Sequence, residues 1–309
     1  MRIGIDLGGM SIKAGLVDEA LKIRYKTTVP TDVKSDGDKI ISDMIGLIRS
    51  VINENPGCEI AHIGIGVPGY VDKKQMVQNC NNIPLTHVDL RGAINQAFHV
   101  PVSVDNDANV AALGEVLAGA AKDYNDAVMI TIGTGIGSGI IIGKQIYRGC
   151  NGAAGELGHI VIEKDGILCN CGRRGCYEKY ASATALIEQT KQAMTEHPES
   201  IMWELCNGSI DAANGKTAFD AWRKNDAAGT AVVNRFISYL STGMINIVNM
   251  FQPEAIILGG GISKEGKTLL DLIYPCLEQE RYTRNGSQTD ILIAQLGNDA
   301  GIIGASQLS

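Results

Sequence analysis

The chain has 309 residues, a formal net charge of −7 at pH 7, and 45% hydrophobic against 20% charged residues. This length allows two packed cores, so we expect two domains. The acidic balance offers no general attraction to nucleic acid or to an anionic membrane surface. In addition, no apolar run approaches the roughly 18 residues that a membrane span needs.

The first residues and the cysteines indicate the compartment. The start, MRIGIDLGG, enters a strand pattern directly and lacks the charged leader and apolar core of a signal peptide. Three of the eight cysteines, Cys169, Cys171 and Cys176, lie close together in the sequence. Such clustering is more typical of a metal site than of a disulfide framework, so we expect a cytoplasmic protein.

The first part of the chain predicts a β-hairpin followed by alternating helices and strands. The predicted elements are a strand over 2–7, a turn at Gly8-Gly9, a strand over 12–16, a helix over 39–53, strands over 60–67 and 100–104, and an alanine-rich helix from Ala108 to about Gly119.

The same pattern of strand, glycine turn and strand then appears a second time. Its elements are a strand over 128–132, a turn over 133–139, a strand over 140–142, a helix over 229–250, and a strand over 255–258 that ends in three glycines. We therefore predict two α/β domains, 1–118 and 119–309. The last segment, about 297–309, is expected to pack back on the first domain.

The glycine turns are candidates for holding phosphate. A turn whose residues lack Cβ lets backbone N–H groups approach phosphate oxygens, and both turns lie between strands rather than before a helix. The Walker motif is absent, and so is a dinucleotide fingerprint. Together with Gly259–Gly261, these turns could converge on one nucleotide. Asp6 precedes the first turn and is a candidate for holding Mg²⁺ through water.

The segment VDNDAN at 104–109 is the candidate catalytic element. It places two aspartates and two asparagines where a strand meets a helix. An Asx cap would explain one such residue but not four, and we expect Asp107 and Asn109 near the helix start. Phosphoryl transfer from ATP needs a base near the attacking hydroxyl, and we assign that role to Asp107. For Asp105 a functional and a structural role remain equally open.

A metal knuckle is predicted between residues 156 and 178. His159 precedes the segment CNCGRRGCYE, which supplies three cysteines. Three thiolates and one imidazole complete a tetrahedral Zn²⁺ site of the structural type. Glu156 and Glu178 flank this site, and carboxylates held in this way suit hydrogen bonding to neighbouring sugar hydroxyls.

Taken together, these motifs resemble the ROK family of repressors, open reading frames and sugar kinases, and within it the bacterial glucokinases. The resemblance covers nearly the whole chain. It rests on DLGG at 6–9, GVPG at 66–69, NDAN at 106–109, GTGIGSG at 133–139, AGELGH at 154–159, CNCGRRGCYE at 169–178 and ILGGGI at 257–262. It implies a two-domain actin-like ATPase (ribonuclease H-like) fold with an interdomain cleft.

The resemblance also implies a role for each matching residue. Asp107 is the expected catalytic base. The expected sugar ligands are Gly69, Asn82, Asn106, Asp107, Glu156, His159 and Glu178. The expected ATP-binding residues are Asp6, Gly8, Gly9, Met10, Ser11, Lys13, Gly133, Thr134, Gly135, Gly137, Gly260 and Gly261. The expected ligands of a structural zinc ion are His159, Cys169, Cys171 and Cys176, and ATP and Mg²⁺ are the further expected cofactors.

Two positions depart from the family pattern. Met10 stands where the family usually has a threonine, so a hydroxyl donor to phosphate is missing, and Ser11 or backbone N–H groups would replace it. The segment over 81–90 lacks the tryptophan that many glucokinases carry, which weakens the expectation of strict glucose selectivity.

The leading hypothesis is a kinase for the 6-hydroxyl of an aldohexose, with glucose first and N-acetylmannosamine, allose, mannose and fructose as alternatives. A sugar-sensing repressor of the same family is the alternative from another class. Repressors carry a helix-turn-helix before the DLGG strand, and here that strand begins at residue 2. A chaperone-like ATPase does not explain the knuckle. A homodimer or higher homo-oligomer is expected from the family.

Overall fold

The computed structural model describes residues 1–80, 82–285 and 288–309. The strands are β1 (Arg2–Leu7), β2 (Ser11–Val17), β3 (Ile23–Pro30), β4 (His62–Val67), β5 (Gly69–Val71), β6 (Val77–Cys80), β7 (Thr86–Val88), β8 (Val102–Asn106), β9 (Ala127–Ile132), β10 (Ile136–Ile142), β11 (Gln145–Ile146), β12 (Ala255–Gly260) and β13 (Asp290–Ile293). The helices are α1 (Gly37–Asn53), α2 (Leu90–Phe98), α3 (Asp107–Ala118), α4 (Glu178–Ala181), α5 (Ala183–Glu196), α6 (Met202–Leu205), α7 (Thr217–Arg223), α8 (Ala227–Phe251), α9 (Lys267–Glu280) and α10 (Ala300–Ser306).

The chain forms two compact units. The first consists of residues 1–129, 138–155 and 294–309, and the second of residues 130–137 and 156–293. The first unit therefore includes residues 119–129 and 138–155, which the division made from the sequence assigns to the second domain. The segment after β13 also belongs to the first unit.

The first unit is built on a five-stranded sheet of order β3-β2-β1-β4-β8. Strands β1 and β2 form the predicted hairpin, in which Asp6 lies opposite Lys13. Strand β1 runs parallel to β4, and β4 runs parallel to β8. The apolar residues of these strands, such as Ile5 and Ile65, form one core with the buried stripe of α1.

Helix α10 lies directly on this sheet and on α3. A Cβ on Gly4 or Gly64 would overlap a backbone carbonyl oxygen of α10, and a Cβ on Gly304 would overlap the carbonyl oxygen of Val110 in α3. Such backbone-to-backbone approach is possible only without side chains at these positions. Because all seven residues of α10 are buried, this helix is part of the core of the first unit.

The second glycine turn is shorter than the sequence predicts. We expected a turn over 133–139 and a strand from 140, but β10 already begins at Ile136. Gly137 and Gly139 therefore lie inside a strand. A Cβ on Gly139 would come within 2.7 Å of the Cβ of Ala112 in α3, so this glycine permits close packing of strand on helix.

Two further sheets complete the strands of the described residues. A second five-stranded sheet has the order β11-β10-β9-β12-β13, with β12 and β13 parallel. Strands β5, β6 and β7 form a small antiparallel sheet. Within the described part of the chain, no helix combines the length and the apolar character needed to cross a membrane.

Gly64→Ala is expected to destabilise the protein because its Cβ would meet the carbonyl of Ala305 in α10. We expect a loss of about 2–3 kcal/mol in the free energy of unfolding. Gly46→Ala is the matched control, since its Cβ in the exposed face of α1 would meet nothing within 4 Å. It should gain about 0.5–1 kcal/mol. Urea titration monitored by circular dichroism measures both changes, and equal midpoints for the two variants would contradict the packing argument.

Candidate active site

The centre of the candidate site is the junction of β8 and α3. Strand β8 ends at Asn106 and α3 begins at Asp107. Asn106 caps the helix, because its Oδ1 accepts hydrogen bonds from the N–H groups of Ala108 (2.9 Å) and Asn109 (3.2 Å). Asp107 and Asn109 lie in the first turn of α3, as expected, and the helix begins one residue before the predicted start at Ala108.

Asp107 lies half-buried at the first helical position. Its Oδ1 accepts a hydrogen bond from the N–H group of Ala108 at 2.8 Å. A helix N-terminus is a favourable place for a negative charge, because unpaired N–H groups point towards it. The carboxylate is thus held by backbone in one orientation, as a positioned base requires.

The neighbours of Asp107 come from the small sheet. The Nδ2 of Asn106 donates a hydrogen bond to the carbonyl oxygen of Gly69 at 3.1 Å, which joins β5 to the helix start. Burial, and to a smaller extent the charge of Asp107, raise the pKa of Cys80 to about 11. The structure therefore brings Gly69, Asn106 and Asp107 together. Asn82 lies exposed in a bend beyond β6.

The first glycine turn is closed by backbone hydrogen bonds. The N–H of Gly8 donates to the carbonyl oxygen of Ser11 at 3.0 Å. Thr31 supports the turn from the end of β3, with its hydroxyl donating to the carbonyl of Gly8 at 2.6 Å and its N–H donating to the carbonyl of Met10 at 3.1 Å. The side chain of Met10 is 90% exposed, so it contributes no packing to the turn.

Two charged residues lie on the strands that lead to this turn. The Nζ of Lys13 is 2.9 Å from the Oδ2 of Asp6 in a partly exposed ion pair. A Cβ on Gly301 would come within 3.0 Å of the carboxyl carbon of Asp6, so α10 limits the movement of this carboxylate. The two residues provide one negative and one positive group beside the turn, a combination that suits a metal ion and phosphate oxygens.

The second glycine turn and the segment after β12 lie in the second unit. The N–H of Gly133 donates to the carbonyl of Gly135 at 3.0 Å, and the N–H of Ala183 at the start of α5 donates to the carbonyl of Gly133 at 2.9 Å. Thr134 is exposed at the tip. Gly260 has a φ of +86° and packs on the backbone of Ile132, the last residue of β9. Gly260, which the resemblance assigns to the adenosine side, therefore adjoins the strand that leads into the second turn.

The knuckle residues form one compact cluster. The ligand atoms of His159, Cys169, Cys171 and Cys176 lie within 4.8 Å of one another. Three sulfur atoms and one imidazole nitrogen at this spacing match a tetrahedral zinc site. Burial raises the pKa of Cys169 to about 12, and the backbone N–H of Arg173 lowers the pKa of Cys171.

Glu178 links the knuckle to the second turn. Its Oε1 is 3.1 Å from the Sγ of Cys169 and 3.9 Å from the Nδ1 of His159. Its Oε2 lies 2.6 Å from the place that a Cβ on Gly135 would occupy. Glu178 and Thr134 also line a cavity of about 540 Å³ in the second unit, together with residues of α5. Glu156 is exposed and precedes the short 3-10 helix that carries His159.

Sequence reasoning missed two supporting residues. Thr31 follows the first turn by more than twenty positions, and only the pairing of β2 with β3 brings it back to Gly8. Arg148 forms an ion pair with Asp105, and the two are 43 positions apart. Neither residue belongs to a recognisable motif, so only the tertiary fold identifies them.

Comparison with known proteins places the chain in a family. The model of the ROK family matches residues 2–309. A glucokinase from Streptomyces coelicolor is 37% identical over 100% of this chain and 97% of that protein. The crystal structure of a ROK family glucokinase from Streptomyces griseus in complex with glucose and AMPPNP is 36% identical, covers 100% of this chain and 98% of that chain, and superposes with a TM-score of 0.82.

A xylose repressor from Bacillus spizizenii is also similar, with 34% identity over 99% of this chain and 76% of that protein. The family match extends over practically the whole sequence, and the glucokinase and the repressor both exceed 30% identity over nearly all of it. The resemblance inferred from the sequence motifs is thereby confirmed, together with the two-domain actin-like ATPase fold. The chain belongs to the ROK family.

Proposed function

We propose that the chain is an ATP-dependent hexokinase that transfers the γ-phosphoryl group of ATP to the 6-hydroxyl of an aldohexose, with glucose as the expected substrate. The observation that carries this proposal is the orientation of Asp107 at the start of α3, fixed by the cap of Asn106. Full-length similarity to glucokinases supports the choice of sugar and phosphate donor.

In this proposal Asp107 accepts the proton of the sugar hydroxyl while the hydroxyl oxygen attacks the γ-phosphorus. The new oxygen–phosphorus bond forms as the bond to the ADP oxygen breaks, so the products are a hexose 6-phosphate and ADP. Asn106 uses its Oδ1 for the cap and one N–H for Gly69. Its second amide hydrogen is available to a sugar hydroxyl.

We also assign recognition of sugar hydroxyls to Glu156, His159 and Glu178, with Asn82 as a further candidate. The carboxylate of Glu178 adjoins the second glycine turn, which would hold phosphate through its backbone. N-acetylmannosamine, allose, mannose and fructose remain alternative acceptors, because epimers differ by one hydroxyl.

The nucleotide site is assigned to the two glycine turns and to the glycines after β12. Lys13 and the turn over Gly8–Met10 would contact phosphate oxygens. We assign Asp6 to Mg²⁺, an ion that would neutralise the charge of the phosphates when bound. The absence of a threonine hydroxyl at Met10 leaves backbone N–H groups and Ser11 as donors.

We assign the cluster of His159, Cys169, Cys171 and Cys176 to a structural zinc ion. Its donor set fits this ion, and the bound metal would fix the knuckle loop and the ring of His159. A homodimer or higher homo-oligomer, expected from the family resemblance, and a cytoplasmic location remain predictions.

A sugar-sensing repressor is the second candidate, because xylose repressors share the matched region. The region shared with a xylose repressor makes up 76% of that protein. Similarity in this region alone does not distinguish a protein that only binds sugar from one that phosphorylates it. Two measurements distinguish these functions. A kinase consumes ATP in the presence of a hexose, whereas a repressor binds a specific DNA sequence.

Asp107→Asn is expected to lower kcat at least about a hundredfold while sugar binding is retained, because an amide cannot accept the proton. Coupled detection of ADP over a panel of hexoses measures kcat, and calorimetry measures sugar binding. Asp36→Asn is the matched control, since Asp36 caps α1 through the N–H of Lys39 and asparagine caps equally well. Near-normal turnover of the Asp107 variant would remove this residue from the mechanism, and ATP consumption with none of the hexoses would reject the kinase.

Gly135→Ala is expected to displace the carboxylate of Glu178, because its Cβ would lie 2.6 Å from the Oε2. A shift of a sugar ligand should raise the KM for the sugar about tenfold or more. Gly133→Ala is the control within the same turn, since its Cβ would meet nothing within 4 Å. Steady-state kinetics with varied sugar at saturating ATP measure both. Identical KM values would contradict the assignment of Glu178 to the sugar.

Cys171→Ser is expected to reduce the zinc content from about one ion per chain, because it removes one of the four ligands. Cys150→Ser is a matched control: both cysteines are exposed, so neither change leaves a cavity. Metal analysis by mass spectrometry after dialysis gives the stoichiometry, and thermal unfolding gives the effect on the knuckle. Equal zinc content in the two variants would reject the site.

A further inference from the structure

Asp105 is a buried carboxylate beside the candidate base. The residue is 3% exposed, and three donors surround it. Its Oδ1 accepts hydrogen bonds from the N–H of Asn106 (2.8 Å) and the Nδ2 of Asn109 (2.8 Å), and its Oδ2 accepts one from the Nε of Arg148 (2.6 Å). Asn106 is the N-cap of α3 and Asn109 lies in its first turn. The buried carboxylate of Asp105 therefore fixes the start of this helix.

Arg148 connects this helix start to a loop. Its side chain binds Asp105, while its carbonyl oxygen accepts hydrogen bonds from the N–H groups of Gly152 (3.1 Å) and Ala154 (3.3 Å). The carbonyl of Asn151 in the same loop accepts from the hydroxyl of Tyr70 at 2.9 Å. The loop over 149–155 is therefore closed on Arg148 and attached to β5.

The end of this loop is held as well. The hydroxyl of Ser138 donates to the carbonyl of Gly155, the residue that directly precedes Glu156. Asn109 gives its Nδ2 to Asp105, so its Oδ1 must point the other way. That oxygen lies 3.8 Å from the place that a Cβ on Gly155 would occupy. The hydrogen bond to Asp105 thus fixes the orientation of the Asn109 amide.

We propose that Asp105 and Arg148 are positioning residues for sugar binding, which hold the start of α3 and the loop over 149–155 in a fixed mutual arrangement. Neither side chain contacts the sugar in this proposal. They act through Asn106 and Asp107 on one side and through the loop that leads to Glu156 on the other. The inference rests on the proposed hexokinase function.

The competing explanation is that the Asp105–Arg148 ion pair only stabilises the fold. The burial of the Asp105 carboxylate supports this explanation too. Removal of Arg148 would leave a carboxylate whose side chain is 4% exposed without its cationic partner, which lowers stability whatever the role of the loop. The test must therefore separate stability from sugar affinity.

Arg148→Met is expected to raise the KM for glucose at least about tenfold, with the KM for ATP within about twofold of the wild type. The amides of Gly152 and Ala154 should exchange with solvent about tenfold faster or more, since the carbonyl that accepts their hydrogen bonds is no longer anchored. Lys26→Met is the control, because it removes the exposed ion pair with Asp299 in the same unit. It should leave both measurements unchanged.

The double variant Asp105→Asn/Arg148→Met separates the two explanations. It removes both charges, so the melting temperature should return towards the wild-type value. The KM for glucose should remain high, because the link between helix and loop is still broken. Recovery of both the melting temperature and the KM would overturn the positioning role, and so would an unchanged glucose KM in Arg148→Met.

The outcome also distinguishes this inference from the function on which it rests. A wild-type protein that phosphorylates no hexose would remove the hexokinase assignment and the sugar role with it. An active wild type combined with unchanged amide exchange and glucose KM in Arg148→Met would remove the positioning role alone.

Discussion

The structure of the first unit depends on direct contact between the backbones of α10, the central strands and α3. Glycines occupy the positions where these backbones meet, such as Gly64 on β4 and Gly304 on α10. Backbone contact leaves no layer of flexible side chains that could absorb movement. The start of α3, and with it Asp107, is therefore held by the packing of the helix as well as by the hydrogen bonds of its cap.

The sequence predicted the elements whose signals are local. Alternating apolar residues and paired glycines identified the β1–β2 hairpin, and helical periodicity identified α1 and α8. The knuckle was predictable because cysteine spacing is itself the signal, and its four residues do lie together. The start of α3 was predicted one residue too late, since Asn106 and Asp107 have similar capping preferences and only the backbone conformation decides between them.

The rest of the site could not be predicted, for a physical reason. Thr31 reaches Gly8 only after β2 and β3 have paired, and Arg148 reaches Asp105 only after β8 and the segment beyond β11 have packed. The start of β10 was placed too late because glycines usually indicate turns, whereas Gly139 serves close packing against α3. In each case the determining partner is distant in sequence.

The first unit consists of three separate segments of the chain, and this arrangement affects its folding during synthesis. The residues of β1 to β4 and β8 are translated long before residues 300–306, so the contact of this sheet with α10 cannot form until those later residues have been made. Until then the carbonyl-facing glycine surface of β1 and β4 is uncovered on the nascent chain. Completion of this core therefore waits for the synthesis of α10, and a chain truncated before residue 300 would keep its first sheet incompletely packed.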